Sequence, residues 1–318
     1  VVDQMTRPGG GGGIQFWDVT DPAAPEAIAD LELPGFFYPD AYARPTLSVF
    51  WQFPYVYVGA ADTGVHVVDA ANPRAPRYVT TYAFEPVLRV GMVQAVGNLL
   101  VVTAAEGSRT VLLDVTNPEM PQPVPGGDFD VVDASGEPRD AYFSTTTGGL
   151  VFYARKEGGG GLLVMDVHDP SAPTYAADYR SDGNGGYVFL HEGLAFVGES
   201  SLARIYDVSD LFDADPERVI PAPIVELDLV GDLDMAVPVG QLAMLSVDDM
   251  AMPNQGSSLA PWSDVRDTRG PAVTWVWPEP DTTIPTGSRF GVTFDEHVEA
   301  GTAWEGSMRL YRADAATP

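Results

Sequence analysis

Two groups of closely spaced carboxylates in this sequence could bind a metal ion. They are Asp128, Asp130 and Asp133 in one long loop, and Asp213, Asp215 and Glu217 in another. Calcium prefers about six to eight oxygen ligands, which such loops can supply, although neither group matches the Asp-x-Asp-x-Asp-Gly calcium loop. In a chain with 45 acidic residues, close-set carboxylates also arise by chance. We therefore expect no cofactor and interpret the close-set acids as a chance arrangement, with a structural calcium ion as the alternative.

The sequence contains none of the common catalytic motifs. It has no Gly-x-Ser-x-Gly nucleophile turn, no Lys-Ser/Thr phosphate loop, no His-Glu-x-x-His helix and no dinucleotide fingerprint. The absence of cysteine excludes a thiol nucleophile, a disulfide and a thiolate zinc site. The four histidines, His66, His168, His191 and His297, fall at unrelated positions, whereas metal sites need clustered ligands. We therefore predict no catalytic residue and favour a protein that is not an enzyme.

A recurring phrase supplies the elements that must position any site. An apolar strand runs into Asp, two further residues, then Asp or Asn followed by Pro-x-x-Pro. Its copies begin at Asp18, Asp69, Asp114, Asp166 and Asp207, and a degenerate sixth copy begins at Ser246. A period of about 40 to 50 residues fits one four-stranded blade of a β-propeller. Each repeated strand is apolar at consecutive positions, as in Val65–Val68, which predicts that both sheet faces are buried.

The repeated Asp has a structural interpretation. A carboxylate at a strand end can accept hydrogen bonds from the amides of the following turn, and the proline then prevents further strand pairing. A ligand site would not need five equivalent copies. We therefore predict that Asp18, Asp69, Asp114, Asp166 and Asp207 are turn residues.

Phrases such as Thr110–Val115 and Leu162–Val167 resemble the LVIVD repeat of bacterial and archaeal surface or secreted proteins. The resemblance covers about residues 1–250 and implies an all-β fold, a propeller of four-stranded blades. The markers predict six blades, with seven as the alternative. It also implies a bacterial extracellular or cell-surface location, with the periplasm as the alternative.

The pattern changes after residue 250. Residues 251–270 are rich in Pro, Gly and Ser, which predicts a linker. From residue 271 to 318, Ala272–Pro278 and Phe290–Val298 resemble the opening of a bacterial Ig-like domain. A β-sandwich of that kind needs about 100 residues. We therefore expect a partial Ig-like domain that further domains of the same polypeptide or a partner chain complete.

A ligand-binding mouth is predicted where the chain enters each blade. In propellers of this type the first strand of a blade lines the central channel, so the loops before these strands converge at one end of it. The candidate residues are Asp40, Tyr42, Arg89, Arg139, Asp140, Tyr142 and Asn184. They could bind a polar ligand or a peptide loop. In the alternative interpretation, the tyrosines pack between blades and the charges pair with one another.

Charge and hydropathy limit the partners. The net charge of −28 disfavours nucleic acid and anionic membrane surfaces. No apolar run approaches the ~20 residues of a membrane span. The sequence therefore predicts a non-enzymatic extracellular or cell-surface binding or scaffold module whose partner is a protein or a polar surface ligand. The alternatives are a calcium-dependent propeller hydrolase, of phosphatase or lactonase type, and a structural subunit of a larger surface assembly.

Overall fold

The computed structural model describes residues 12–21, 23–35, 48–156, 159–213, 216–247, 256–265 and 268–298. Within these ranges the chain is all-β, and its helical content is one 3₁₀ turn at Ser209–Phe212. This turn is too short to cross a membrane, and the described ranges contain no other helix that could. The all-β prediction is confirmed.

The strands alternate with short turns along the whole described chain. In order they are β1 (Gly13–Asp18), β2 (Glu26–Glu32), β3 (Ser48–Gln52), β4 (Tyr55–Gly59), β5 (Val65–Asp69), β6 (Arg77–Tyr82), β7 (Val90–Val96), β8 (Leu99–Ala104), β9 (Arg109–Asp114), β10 (Gln122–Asp130), β11 (Ala141–Thr147), β12 (Leu150–Arg155), β13 (Gly161–Asp166), β14 (Thr174–Arg180), β15 (Val188–His191), β16 (Leu194–Asp207), β17 (Val225–Val239), β18 (Leu242–Val247), β19 (Gly256–Pro261), β20 (Val273–Trp277) and β21 (Gly291–Phe294).

Neighbouring strands pair antiparallel in chain order to give a propeller-like series of sheets. Three sheets have four strands each, β3–β6, β7–β10 and β11–β14, and each comes from one sequence repeat. The first strands β3, β7, β11 and β15 contact one another in turn, so they are the innermost strands. The LVIVD-like repeats therefore form the blades that the sequence predicts.

Burial of both sheet faces explains the continuous apolar strands. Every residue of β8 and β12 is buried, and Leu100 on β8 is fully inaccessible. Tyr57 of the preceding sheet packs into the same apolar cluster as Leu100. Because each apolar CH₂ removed from water contributes about 0.8 kcal/mol, the interfaces between sheets dominate the stability of this fold.

The predicted number of six or seven blades is wrong: the described residues form four sheets of four or five strands, with two further two-stranded sheets. The first repeat contributes only the pair β1–β2. The fifth and sixth repeats form one sheet, β15–β19, because β17 runs without a break from its pairing with β16 to its pairing with β18. Two sequence markers thus correspond to one blade.

The predicted partial Ig-like sandwich is not found among the described residues. This region instead gives the two-stranded sheet β20–β21, which packs against the propeller. Trp275 is 5% exposed and lies in an apolar cluster with residues of β8, β12 and β13. The blades therefore cover the apolar face of the sheet β20–β21, which a second sheet would cover in an Ig-like domain. Part of the predicted linker, residues 256–261, forms β19 at the edge of the last blade.

Candidate functional site

Two faces of the propeller are distinguished by the loops that form them. The upper face contains the loops that lead into β7, β11 and β15, at residues 83–89, 131–140 and 181–187. The lower face contains the repeated turns at residues 69–76, 114–121 and 166–173, together with β20–β21. Of the predicted mouth residues, Asp40 and Tyr42 lie outside the described residues.

A charged and aromatic cluster on the upper face joins two blades. The carboxylate of Glu106 forms ion pairs with Arg89 Nη1 and with Lys156 Nζ, each at 3.2 Å. Lys156 Nζ also lies 4.3 Å from the ring centroid of Tyr142. The structure thus brings together Arg89 and Tyr142, two predicted mouth residues, through Glu106 and Lys156. We name these four residues the upper-face cluster.

A second ion-pair network lies beside it. Asp133 Oδ2 accepts a hydrogen bond from Arg139 Nε at 2.5 Å and lies 3.6 Å from Arg155 Nη2. Arg155 is 4% exposed, and its Nη1 donates to Asp178 Oδ2 at 3.0 Å. Hydrogen bonds from Ser135, and then from Arg139, hold the pKa of Asp133 well below its usual value. Asp133, a predicted calcium ligand, and Arg139, a predicted mouth residue, are thus one structural pair.

Two other predicted mouth residues, Asp140 and Asn184, accept hydrogen bonds through their backbone carbonyls. The carbonyl of Asp140 accepts a hydrogen bond from the Lys156 amide at 2.9 Å, and the carbonyl of Asn184 accepts one from Ser200 Oγ at 3.2 Å. Tyr142 lies 4.4 Å from Phe143, which stacks on Tyr187 at 4.1 Å. Ligand binding by these residues stays a prediction.

The predicted calcium ligands make contacts with the protein itself. Asp128 forms a bidentate pair with Arg109, at 2.9 and 2.8 Å, and Asp130 Oδ1 accepts a hydrogen bond from Ser108 Oγ at 2.6 Å. Asp213 ends the 3₁₀ turn, and Asp215 lies outside the described residues. Among the residues that are described, no three acidic or histidine side chains form a group suited to a metal ion. Calcium binding stays a prediction.

A central cavity of about 510 Å³ lies between the innermost strands and β21. Polar side chains form hydrogen bonds between the innermost strands that make up the cavity walls. Gln52 Nε2 donates to Gly97 O at 3.0 Å, which joins β3 to β7. Gln94 exchanges two hydrogen bonds with the Thr146 backbone, at 3.0 and 2.8 Å, which joins β7 to β11. Sequence reasoning missed these residues, and their only signal was a Gln on an innermost strand.

The predicted turn role of the repeated Asp is confirmed. In each copy the side-chain Oδ1 accepts a hydrogen bond from the backbone amide two residues later. The pairs are Asp18–Thr20, Asp69–Ala71, Asp114–Thr116, Asp166–His168 and Asp207–Ser209, at 2.7 to 3.0 Å. The Asp or Asn three residues further on repeats the pattern, as in Asn72 with Arg74 at 3.1 Å.

The histidines differ in environment. Burial lowers the pKa of His66 to about 4, and its Nδ1 lies 2.7 Å from Thr81 Oγ1. A hydrogen bond to Asp166 raises the pKa of His168. Burial, and then the charge of His191, lowers the pKa of His297. His191 and His297 thus interact although they are far apart in sequence, which no sequence pattern revealed.

A buried carboxylate forms a further cluster that sequence reasoning missed. Glu199 is inaccessible to solvent, and it accepts hydrogen bonds from Arg204 at 2.7 Å, Tyr206 at 2.5 Å and Ser181. Burial, followed by the charge of Glu199, raises the pKa of Tyr206. Arg204 also contacts Asp182 and Glu226, so this cluster is a saturated structural network.

Comparison with known proteins supports the repeat and the fold. The LVIVD repeat family matches residues 54–83 and 157–181. No curated protein matches the chain in sequence.

Three solved structures illustrate the fold similarity. A putative 6-phosphogluconolactonase from Bacteroides uniformis has a TM-score of 0.58 at 10% identity, with 79% of this chain and 75% of that chain covered. A β-propeller domain from Myceliophteria thermophila has a TM-score of 0.54 at 14% identity, with 79% and 77% covered. The periplasmic gluconolactonase of Pseudomonas aeruginosa has a TM-score of 0.53 at 11% identity, with 68% and 64% covered. At these identities the likeness shows the propeller fold alone.

Proposed function

We propose that this chain is a non-enzymatic binding or scaffold module of the bacterial cell surface or exterior, with the periplasm as the alternative location. Its upper face binds a protein or a polar surface ligand. The LVIVD repeats support the surface role, and the propeller fold supports a binding role, because converging loops on a rigid scaffold commonly bind partners.

The upper-face cluster carries this proposal. Arg89, Lys156 and Glu106 hold one another in place across two blades, and the side chains of all three are partly exposed. Such side chains lose little further conformational entropy when a partner binds, and this favours affinity. The cluster offers a cationic and aromatic patch on an otherwise strongly acidic protein. A partner with complementary acidic or aromatic groups fits this patch.

To test this proposal, peptides that bind the full chain are selected from a random phage-display library. Their binding to the wild type is then compared with their binding to two charge-reversal variants. We expect Lys156→Glu to abolish binding of the selected peptides, because the upper-face cluster loses one of its two cations, and the new carboxylate repels Glu106 and acidic groups of the peptide. The control is Arg77→Glu on the lower face, where Arg77 pairs with Asp69 at 3.0 Å, and it should leave binding intact. Peptides that bind Lys156→Glu as well as the wild type would place the interaction elsewhere.

An enzyme assay tests the competing function. Hydrolysis of gluconolactone and of p-nitrophenyl phosphate is measured with calcium and with EDTA. We expect rates equal to those in buffer alone. Calcium-dependent turnover that EDTA abolishes would contradict the proposal and favour a propeller hydrolase.

A further inference from the structure

The outermost strand of the last blade, β19, forms an edge at which a further strand can dock. We propose that β19 pairs with an extended segment of another protein, in which apolar and polar residues alternate and basic residues flank the strand. The proposal goes beyond the proposed function, since β19 contributes no residue to the upper-face cluster.

The outer edge of β19 is open within the part of the chain that the structure describes. β19 is the last strand in the order β15-β16-β17-β18-β19, and it pairs with β18 on its inner side only. An unpaired edge presents a row of N–H and C=O groups that can pair with another chain. The addition of a strand to such an edge is a common mode of peptide recognition.

The backbone groups of Ser257 and Leu259 point away from β18. In an antiparallel ladder, residue pairs that exchange hydrogen bonds alternate with pairs that do not. The Trp262 amide donates to Gln241 O at 3.2 Å, so these two residues form a bonded pair at the end of the ladder. Counting back along the register, every second residue from Trp262 bonds to β18, and Ser257 and Leu259 lie at the positions between. They offer their N–H and C=O groups to a further strand.

One face of the same sheet is apolar and exposed. Leu259 lies opposite Met244 of β18, which lies opposite Val237 of β17, so the three side chains share a face. Leu259 is 61% exposed and Met244 is 40% exposed. The alternate residues Ala243 and Leu245 of β18 are buried on the opposite face. Apolar side chains of an added strand would extend the exposed face next to Leu259, which requires a segment in which apolar and polar residues alternate.

The other blades protect their outermost strands with charge, and β19 does not. The strands β2, β6, β10 and β14 each contain at least one charged residue, whereas β19 reads Gly-Ser-Ser-Leu-Ala-Pro. Charged residues on an edge strand disfavour pairing with another chain. Pro261 lacks an N–H group, so an added strand would pair only with the residues before it. The absence of charge from β19 favours a role in strand pairing.

The charge of the chain indicates what flanks the partner segment. The net charge is −28, and β17, in the same sheet, contains exposed acids such as Asp228 and Asp232. An acidic segment and a second copy of this chain would both be repelled, whereas a segment with basic flanks would be attracted. A basic segment of another protein therefore fits this edge better than a second copy does.

Fluorescence anisotropy with the full chain tests the proposal. The probe is a labelled peptide of alternating valine and threonine with lysines at both ends, and we expect it to bind saturably. The same peptide with glutamates at both ends should not bind. A lysine-flanked peptide that is N-methylated at every valine and threonine has the same charge but no N–H groups to pair, so it controls for non-specific attraction and should not bind either. No saturable binding of the probe, or equal binding of either control peptide, would overturn the proposal.

Two variants at one position separate backbone pairing from side-chain contact. Leu259→Pro removes the outward N–H without removing a hydrogen bond to β18, and it should weaken probe binding by about tenfold or more. Leu259→Ala keeps this N–H and should lose clearly less affinity. Lys156→Glu should bind the probe as the wild type does, so a failure of the upper-face proposal and a failure of edge pairing are distinguishable. Equal losses in the two Leu259 variants would contradict strand pairing.

Sedimentation velocity of the chain alone identifies the competing occupant. We expect a monomer, because like charges repel. A dimer that Leu259→Pro dissociates would make a second copy the occupant of the edge and would overturn the proposal of a basic partner.

Discussion

The repeated turn uses two side-chain caps in succession. In the second repeat, Asp69 Oδ1 accepts the Ala71 amide at 3.0 Å, and Asn72 Oδ1 accepts the Arg74 amide at 3.1 Å. Each cap satisfies a backbone donor that strand pairing leaves over. This explains why both positions are restricted to Asp or Asn in the first four copies.

We expect Asp114→Ala to lower the free energy of unfolding by about 1 to 2 kcal/mol, because the Thr116 amide loses its acceptor at 2.7 Å. Asp114→Asn keeps an oxygen at this position and should cost much less. Urea denaturation of both variants measures the difference. Equal stability of Asp114→Ala and the wild type would contradict the turn role.

His66 makes the stability depend on pH. Burial lowers its pKa from 6.5 to about 4, so the unfolded chain binds the proton more readily than the folded chain. Stability is therefore lost as the pH falls below about 6.5, by about 2 kcal/mol at pH 5. Urea denaturation at about pH 8 and pH 5 measures this loss.

His66→Gln provides the control for this pH effect. The amide can still bond to Thr81 Oγ1, but it does not titrate. His168 and His297 titrate in both proteins, so the difference between the two pH profiles isolates His66. We expect the variant to lose about 2 kcal/mol less than the wild type on acidification. Identical profiles would refute the assignment.

At the scale of elements, β20–β21 closes the lower end of the channel. Gly148 N donates to Thr293 Oγ1 at 3.0 Å, and the Arg289 amide donates to Asn98 Oδ1 at 2.8 Å. Gly97, at the turn between β7 and β8, lies directly against the ring of Trp277, and a Cβ at this position would overlap that ring. The close packing of β20–β21 against the propeller therefore requires a glycine at position 97, in the blade formed by β7–β10.

We expect Gly97→Ala to displace β20–β21 and to lower stability by about 2 to 3 kcal/mol, since backbone strain and a steric clash add. Gly240→Ala is a matched control, because Gly240 has φ +58° against +57° for Gly97 and nothing lies within 4 Å of its Cβ. Gly240→Ala therefore introduces the backbone strain of a positive φ without a steric clash. Tryptophan fluorescence and limited proteolysis report on the hairpin, and equal effects of both variants would exclude the clash.

Strands were easier to predict from sequence than their grouping into sheets. The apolar run Val65–Val68, which predicts a strand with both faces buried, lies in β5, and all four of its residues are buried. The fusion of the last two repeats was not predictable. It depends on β17 continuing past Leu229 in place of a turn, and local composition does not determine whether a strand stops or bends.

At the scale of the whole molecule, the candidate site was predictable only in part. Loop position identified Arg89 and Tyr142, because the repeat fixes where each blade begins. The partners Glu106 and Lys156 were missed, since they lie on the corresponding hairpins of two neighbouring blades and meet only when the blades pack. The cross-links of Gln52 and Gln94 depend on the same packing.

The excess of 45 acidic over 17 basic residues predicts a response to salt. We expect sodium chloride to raise the Tm, because screening weakens the repulsion between the excess like charges more than it weakens the surface ion pairs. Calorimetry at about 0.02 and 0.5 M salt measures the shift. Calcium chloride at equal ionic strength tests the predicted calcium site, which would give an additional increase. A Tm that falls with sodium chloride would contradict the repulsion.

The unbroken path of β17 limits where the gene can change length. Insertions at a hairpin tip away from the upper-face cluster alter only a loop. One extra residue near Gly231 would instead shift the pairing with β16 or with β18, and the side chains of one half of β17 would then face the opposite side of the sheet. We therefore expect homologous chains to vary in length at hairpin tips and to keep a constant spacing between Val225 and Val239.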